Sequence, residues 1–132
     1  MAGLGTIVGN VNPSLCKFCV KARYDVTNSV HSGVAATAIG LGVVIPNGAI
    51  VTSVIGSAVT SLSSTGAPTV AINIGATEVK AATAYNNAAF AGVDEHYNTP
   101  VKLAADSEVN IDVENAADLA GGVYDIYVTY LL

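Results

Sequence analysis

Few residues in this chain have both the type and the spacing to do chemistry. Cys16-Lys17-Phe18-Cys19 is a C-x-x-C pair, the spacing of a zinc knuckle or a redox dithiol. A structural zinc needs four ligands. His31 follows at a finger-like distance, but the other histidine, His96, is far along the chain and no second C-x-x-C exists. A redox dithiol wants a helix N-terminus to acidify its thiol, whereas this pair runs into a strand-like alternation. One or both cysteines are therefore expected to be small core residues. Asp94-Glu95-His96 places acids beside a base, as an acid–base or cation site would, but no G-x-S-x-G and no phosphate loop accompanies it. Asp106, Glu108, Asp112 and Glu114 fall at even spacings, which puts them on one strand face. That face is read as solvated in preference to a weak calcium site. No catalytic constellation results. The chain is expected to be no enzyme, with no cofactor and no metal.

The elements that would position these residues are strands. Phe18, Val20, Ala22, Tyr24 and Val26 alternate with Lys17, Lys21, Arg23, Asp25 and Thr27, the pattern of a half-buried strand. Three of the five basic residues, Lys17, Lys21 and Arg23, share its polar face. They either meet water or contact an acidic partner. Val34–Leu41 reads as a short strand broken by Gly40 and Gly42, and Pro46-Asn47-Gly48 as a turn. Ala49–Leu62 is the longest strand, with Gly56 suggesting a bulge or bend and a Val51–Val59 face open to a neighbour. Val70, Ile72 and Ile74 mark another strand, as do Val109, Ile111 and Val113. Gly75–Thr99 is Ala-rich and reads as one long loop, with a turn of helix near Thr77–Ala84. Asn115–Gly122 reads as a turn using Gly121-Gly122. In the last strand Tyr124, Ile126, Val128 and Tyr130 point inward, and Tyr127 points outward as a contact candidate. Residues 1–16 read as an N-terminal arm, frayed or ordered on a neighbour, and residues 17–132 as one all-β domain. Six to eight strands at this spacing imply an antiparallel β-sandwich of jelly-roll, Greek-key type.

Composition narrows the class. Charged residues are 11% of the 132, against about 25% in an average domain. A surface so poor in charge suits a subunit covered by neighbours more than a solitary enzyme. The net charge of −5 argues against a nucleic-acid groove. The apolar run Val34–Ile45 is too short to span a bilayer and ends in a turn, so no membrane is expected. Met1–Pro13 has neither the basic nor the apolar region of a signal peptide.

Four stretches carry a resemblance: 21–26 (KARYDV), 41–52 (LGVVIPNGAIVT), 70–75 (VAINIG) and 121–130 (GGVYDIYVTY). Together they resemble the jelly-roll decoration, or cement, proteins of tailed bacteriophages, over residues 17–132. The resemblance implies a homotrimer on the outer surface of the virion capsid that binds the major capsid protein and stabilises the expanded shell. It brings no catalytic residues. Lys17, Lys21, Arg23, Tyr127 and Tyr97 are the contact candidates. The alternative is a glycan-binding module of a head or tail fibre, for which Tyr97, Asn98, Asp94 and Glu95 offer the best site.

Overall fold

The computed structural model describes residues 16–28, 30–31, 36–97, 100–114 and 119–132. The expected N-terminal arm lies outside them, apart from Cys16. The described residues form strands β1 (Lys17–Asp25), β2 (Ala36–Ile45), β3 (Ile50–Ser64), β4 (Thr69–Ile74), β5 (Thr77–Ala84), β6 (Glu95–Tyr97), β7 (Val101–Lys102), β8 (Ser107–Glu114) and β9 (Leu119–Leu131), with one 3-10 turn at Ala88–Phe90.

Every pairing is antiparallel. β1 pairs with β9, β2 with β8, β3 with β6 and β7, and β4 with β5, which makes four nested pairs. Two cross-pairings, β3 with β9 and β4 with β8, gather them into sheets ordered β1-β9-β3-β6 and β2-β8-β4-β5, with β7 also on β3. Nested pairs distributed over two sheets match the jelly-roll wiring expected from the sequence.

The alternating residues explain the layers. Ala22, Tyr24, Val51, Val54, Tyr124, Ile126 and Val128 of the first sheet join Ile39, Ile45, Val70, Ile72, Ile74, Val109, Ile111 and Val113 of the second in one buried cluster. Burying an aliphatic side chain contributes about 1.5–3 kcal/mol, while a surface ion pair contributes about 0–1 kcal/mol. This core, and not the two ion pairs among the described residues, holds the sheets together.

Four expectations change. The Gly75–Thr99 segment is not one long loop, and Thr77–Ala84 is not helical: it is β5, paired to β4, followed by the 3-10 turn and β6. Ala favours helix locally, but the ladder to β4 decides the outcome. Gly40 and Gly42 do not break β2. The strand runs through them with two register shifts. Gly121-Gly122 is not a turn but part of β9, which begins at Leu119.

Gly56 marks a close approach instead of a bulge, since the β3–β9 register is continuous there. A Cβ at this position would fall 1.9 Å from Tyr124 Oη and 2.7 Å from its Cζ. The bare backbone leaves room for the Tyr124 hydroxyl, which pairs with Tyr97 Oη at 2.9 Å. Phe90 closes the cluster edge-on, 5.1 Å from the Tyr124 ring centre. Gly56→Ala is expected to cost about 1–3 kcal/mol by overpacking, read as a lower urea midpoint. An unchanged midpoint would show that Tyr124 can move aside.

Candidate functional site

The outer face of the β1-β9-β3-β6 sheet collects most of the residues of interest. Register sets its rows. Lys21, Tyr127, Ile55 and His96 lie side by side across β1, β9, β3 and β6. Lys17, Leu131, Ile50 and Lys102 form a second row. Arg23, Asp125 and Ser57 form a third. Ile55 is 40% and Tyr127 37% exposed, so an apolar centre faces outward. Four of the chain's five cations stand on this face. The fifth, Lys80, is directed inward from β5, where its side chain is only 11% exposed. Its Nζ bonds Glu95 Oε1 at 2.9 Å and lies over the rings of Phe90 and Tyr97.

The sequence-derived candidates divide accordingly. Lys17, Lys21, Arg23 and Tyr127 share the face. Tyr97 does not: it is 6% exposed and packs inward, because His96 takes the outward position in the three-residue β6. The Asp94-Glu95-His96 cluster is split for the same reason. Glu95 turns to Lys80, while His96 Nε2 meets Ser53 Oγ at 3.0 Å on the outside. The surface opens into no pocket among the described residues.

Arg23 is no free cation. Its Nε and Nη2 donate to the two carboxylate oxygens of Asp125 at 2.7 and 2.8 Å. The Asp125 side chain is only 3% exposed, whereas that of Arg23 is 47% exposed. The two bonds and the charge of Arg23 hold the Asp125 carboxyl below its usual range, against the opposing push of burial. The stability this lends is present above the ordinary carboxylate pKa and is lost as pH falls through the lowered value. Arg23→Ala should reverse the sign. Asp125 would then be a desolvated carboxylate without its partner, favouring the protonated form. The melting temperature of the variant is expected to lie furthest below the parent at neutral pH, with the gap closing towards pH 4. A gap that stays constant across thermal melts from pH 4 to pH 7 would count against this.

The cysteines overturn their expectation. Cys16 and Cys19 are both exposed, not core residues. β1 begins at the rim of the sandwich, and the odd parity of Cys19 sends it outward. Phe18, at the same rim, stays 41% exposed and stacks on Tyr130 at 5.3 Å.

The acidic face of β8 has a task that spacing alone does not reveal. Asp106 Oδ1 accepts from Asn47 N at 2.8 Å and Glu108 Oε2 from Gly42 N at 2.9 Å. Asp112 Oδ1 accepts from Ala38 N. Glu108 and Asp112 pair backbone donors that the two irregularities of β2 turn out of the ladder, and Asp106 pairs one in the turn that follows β2. No group of three or more metal-ligating side chains occurs among the described residues. Sequence reasoning missed Lys102 as a member of the opposite, cationic face, and it grouped Ile55 with Val51 instead of with Tyr127. Only the register across β3 brings both to that face.

No protein-family model matches the chain, and no curated protein matches it. Solved structures do. The chain is similar to one in the acidic stable capsid structure of Helicobacter pylori bacteriophage KHP30, with a TM-score of 0.58 and 20% identity over 88% of this chain and 87% of that one. It is similar to a chain of the cyanophage Pam1 capsid asymmetric unit, with a TM-score of 0.63 and 24% identity over 92% and 89%. A chain of the capsid of Ralstonia phage GP4 gives a TM-score of 0.60 and 20% identity over 92% and 88%. At such identities the likeness is one of fold, and it extends over nearly the whole chain.

Proposed function

We propose that this chain is a structural subunit of a bacteriophage virion: a decoration, or cement, protein that binds the outside of the head as a homotrimer and stabilises the expanded shell. One observation carries the reading. Its fold, over about nine-tenths of its length, is that of chains in three phage capsid structures. The charge-poor surface and the outward Ile55–Tyr127 pair support it, since both suit a protein covered by neighbours. The role is mechanical, not catalytic. A ligand that binds the assembled shell and not its separated parts stabilises the shell by mass action, by about 1.4 kcal/mol for every tenfold excess over its dissociation constant. Each trimer would bridge adjacent major capsid subunits and so resist pressure from within. The glycan-binding alternative loses its aromatic platform, because Tyr97 is buried and bonded to Tyr124.

Two measurements test the reading. Light scattering after size exclusion is expected to give three times the chain mass. Titration onto expanded shells lacking this protein is expected to saturate at a fixed copy number and to raise the shells' melting temperature. Shells that stay bare, while a glycan array captures the protein, would favour the fibre module instead.

A further inference from the structure

We propose that the outer face of the β1-β9-β3-β6 sheet is the docking surface, and that its occupant is a carboxylate-bearing apolar surface of a different protein, not a second copy of this chain. The inference rests on the function proposed above and identifies the side turned to the shell.

Ile55 with Tyr127 and Ile50 with Leu131 form the two apolar rows of this face, with the Cys19–Thr129–Ser53 row between them. Lys17 and Lys21 flank them on β1, and Lys102 stands at the opposite end of the Ile50 row. Among the described residues the ion pairs are Arg23–Asp125 and Lys80–Glu95, so these three lysines stand in neither. Among the described residues the acids on this face are Asp125 and Asp25, and both have nearer partners, Lys21 adding only a minor attraction to Asp125. Asp125 is held by Arg23, and Asp25, at the end of β1, accepts from the backbone and hydroxyl of Thr27. An apolar centre with a cationic rim complements an apolar surface with an acidic rim.

A second copy fits poorly. Two of these faces in self-contact would set lysines against lysines. The opposite sheet of a second copy is acidic, but three of its carboxylates, Asp106, Glu108 and Asp112, already accept the backbone N–H groups of Asn47, Gly42 and Ala38, and among the described residues only Glu78 and Glu114 stand exposed beside them. Capturing a lysine would pull those three from donors that need them. Three lysines around an apolar face are also too few to track a nucleic-acid backbone.

The test uses the full chain and expanded shells lacking it. The variants are Ile55→Asp, at the apolar centre, and the triple change Lys17→Glu/Lys21→Glu/Lys102→Glu, on the rim. Thermal melts establish that each is folded, as exposed positions should allow. Ile55→Asp is expected to weaken shell binding at least about thirty-fold, as loss of a central anchor does. The triple variant is expected to weaken it at least about ten-fold at low salt and to abolish its salt dependence. Both should keep the parent's oligomeric state. Carbodiimide treatment of decorated shells should join Lys17, Lys21 or Lys102 to Asp or Glu of a shell protein. Parent-like binding by both variants, or cross-links confined to copies of this chain, would overturn the inference and leave the proposed function standing. An unmodified chain that leaves the shells bare would remove both.

Discussion

Gly122→Ala is expected to cost about 2–6 kcal/mol of stability, more than Gly48→Ala, Gly56→Ala or Gly121→Ala. Two independent costs meet at this residue. Its φ is +124°, a region essentially closed to side chains, and forcing one there costs about 1–3 kcal/mol. The space is also taken. A Cβ would lie 2.6 Å from Leu62 Cδ2, 2.7 Å from Leu62 Cα and 2.9 Å from the Ser61 carbonyl oxygen. Two of those atoms are backbone and cannot rotate away. The crowding arises from register: Thr60 faces Val123 and Ser63 faces Gly121, so Ser61 and Leu62 share the single position opposite Gly122. Overpacking adds roughly 1–3 kcal/mol. The sum removes a large part of the roughly 5–15 kcal/mol that a domain possesses. Gly48→Ala separates the two costs, because its φ is +87° but nothing lies within 4 Å of the added carbon. It should lose only the conformational part. Gly121→Ala, beside Gly122 but without a positive φ, should be nearly neutral, with Ser63 Oγ at 3.2 Å as its one close contact. Urea unfolding of the three variants orders them. A Gly122→Ala protein within 1 kcal/mol of the parent would refute the bulge geometry.

The same register explains what could be read in the chain and what could not. β1 and the second half of β9 were legible because they are regular: one residue opposes one residue from Lys17–Leu131 to Asp25–Val123. Alternation therefore placed Ala22, Tyr24, Tyr124, Ile126 and Val128 inside and Tyr127 outside without any structure. In β3 alternation fails. Val51 and Ile55 have the same parity, yet Val51 is fully buried and Ile55 exposed, because a register shift between Val51 and Ser53 reverses the faces. The expected Val51–Val59 face is therefore not one face. Ile55 joins Tyr127 only through that shift, which no local pattern announces. β5 was hidden differently. Lys80 sits at an inward position, so the charge that should have marked the solvent side marks the interior, where Glu95 and two aromatic rings receive it. A charge is a reliable sign of the outside only when nothing within reach can neutralise it.

Raising the pH should unfold the protein cooperatively between about pH 10 and 12. Three of the six tyrosines are the cause. Burial pushes Tyr24 and Tyr97 up to about 12. Tyr124 is pushed higher still by burial and by its hydroxyl partner Tyr97. A neutral phenol is thus favoured in the folded state. The associated stability is fully present below the unfolded value near 10 and is lost as pH rises through the folded value. For Tyr24 a rise from about 10 to about 12 corresponds to about 3 kcal/mol. Tyr97 and Tyr124 share a proton-bearing contact of 2.9 Å, so they should titrate as a pair, not as separate sites. With the Tyr97–Tyr124 pair added, the loss is a large part of the stability of an ordinary domain, and a single domain of this size unfolds as one unit. Phenolate absorbance at 295 nm should rise in a step that coincides with loss of the far-ultraviolet strand signal. Tyr24→Phe removes one ionising group and should move that step to higher pH. Strands that persist at pH 12 while all six tyrosines ionise would mean that water reaches the Tyr97–Tyr124 pair in the folded state. The sandwich would then be open at its β5–β6 edge, where Lys80 and Glu95 now close it.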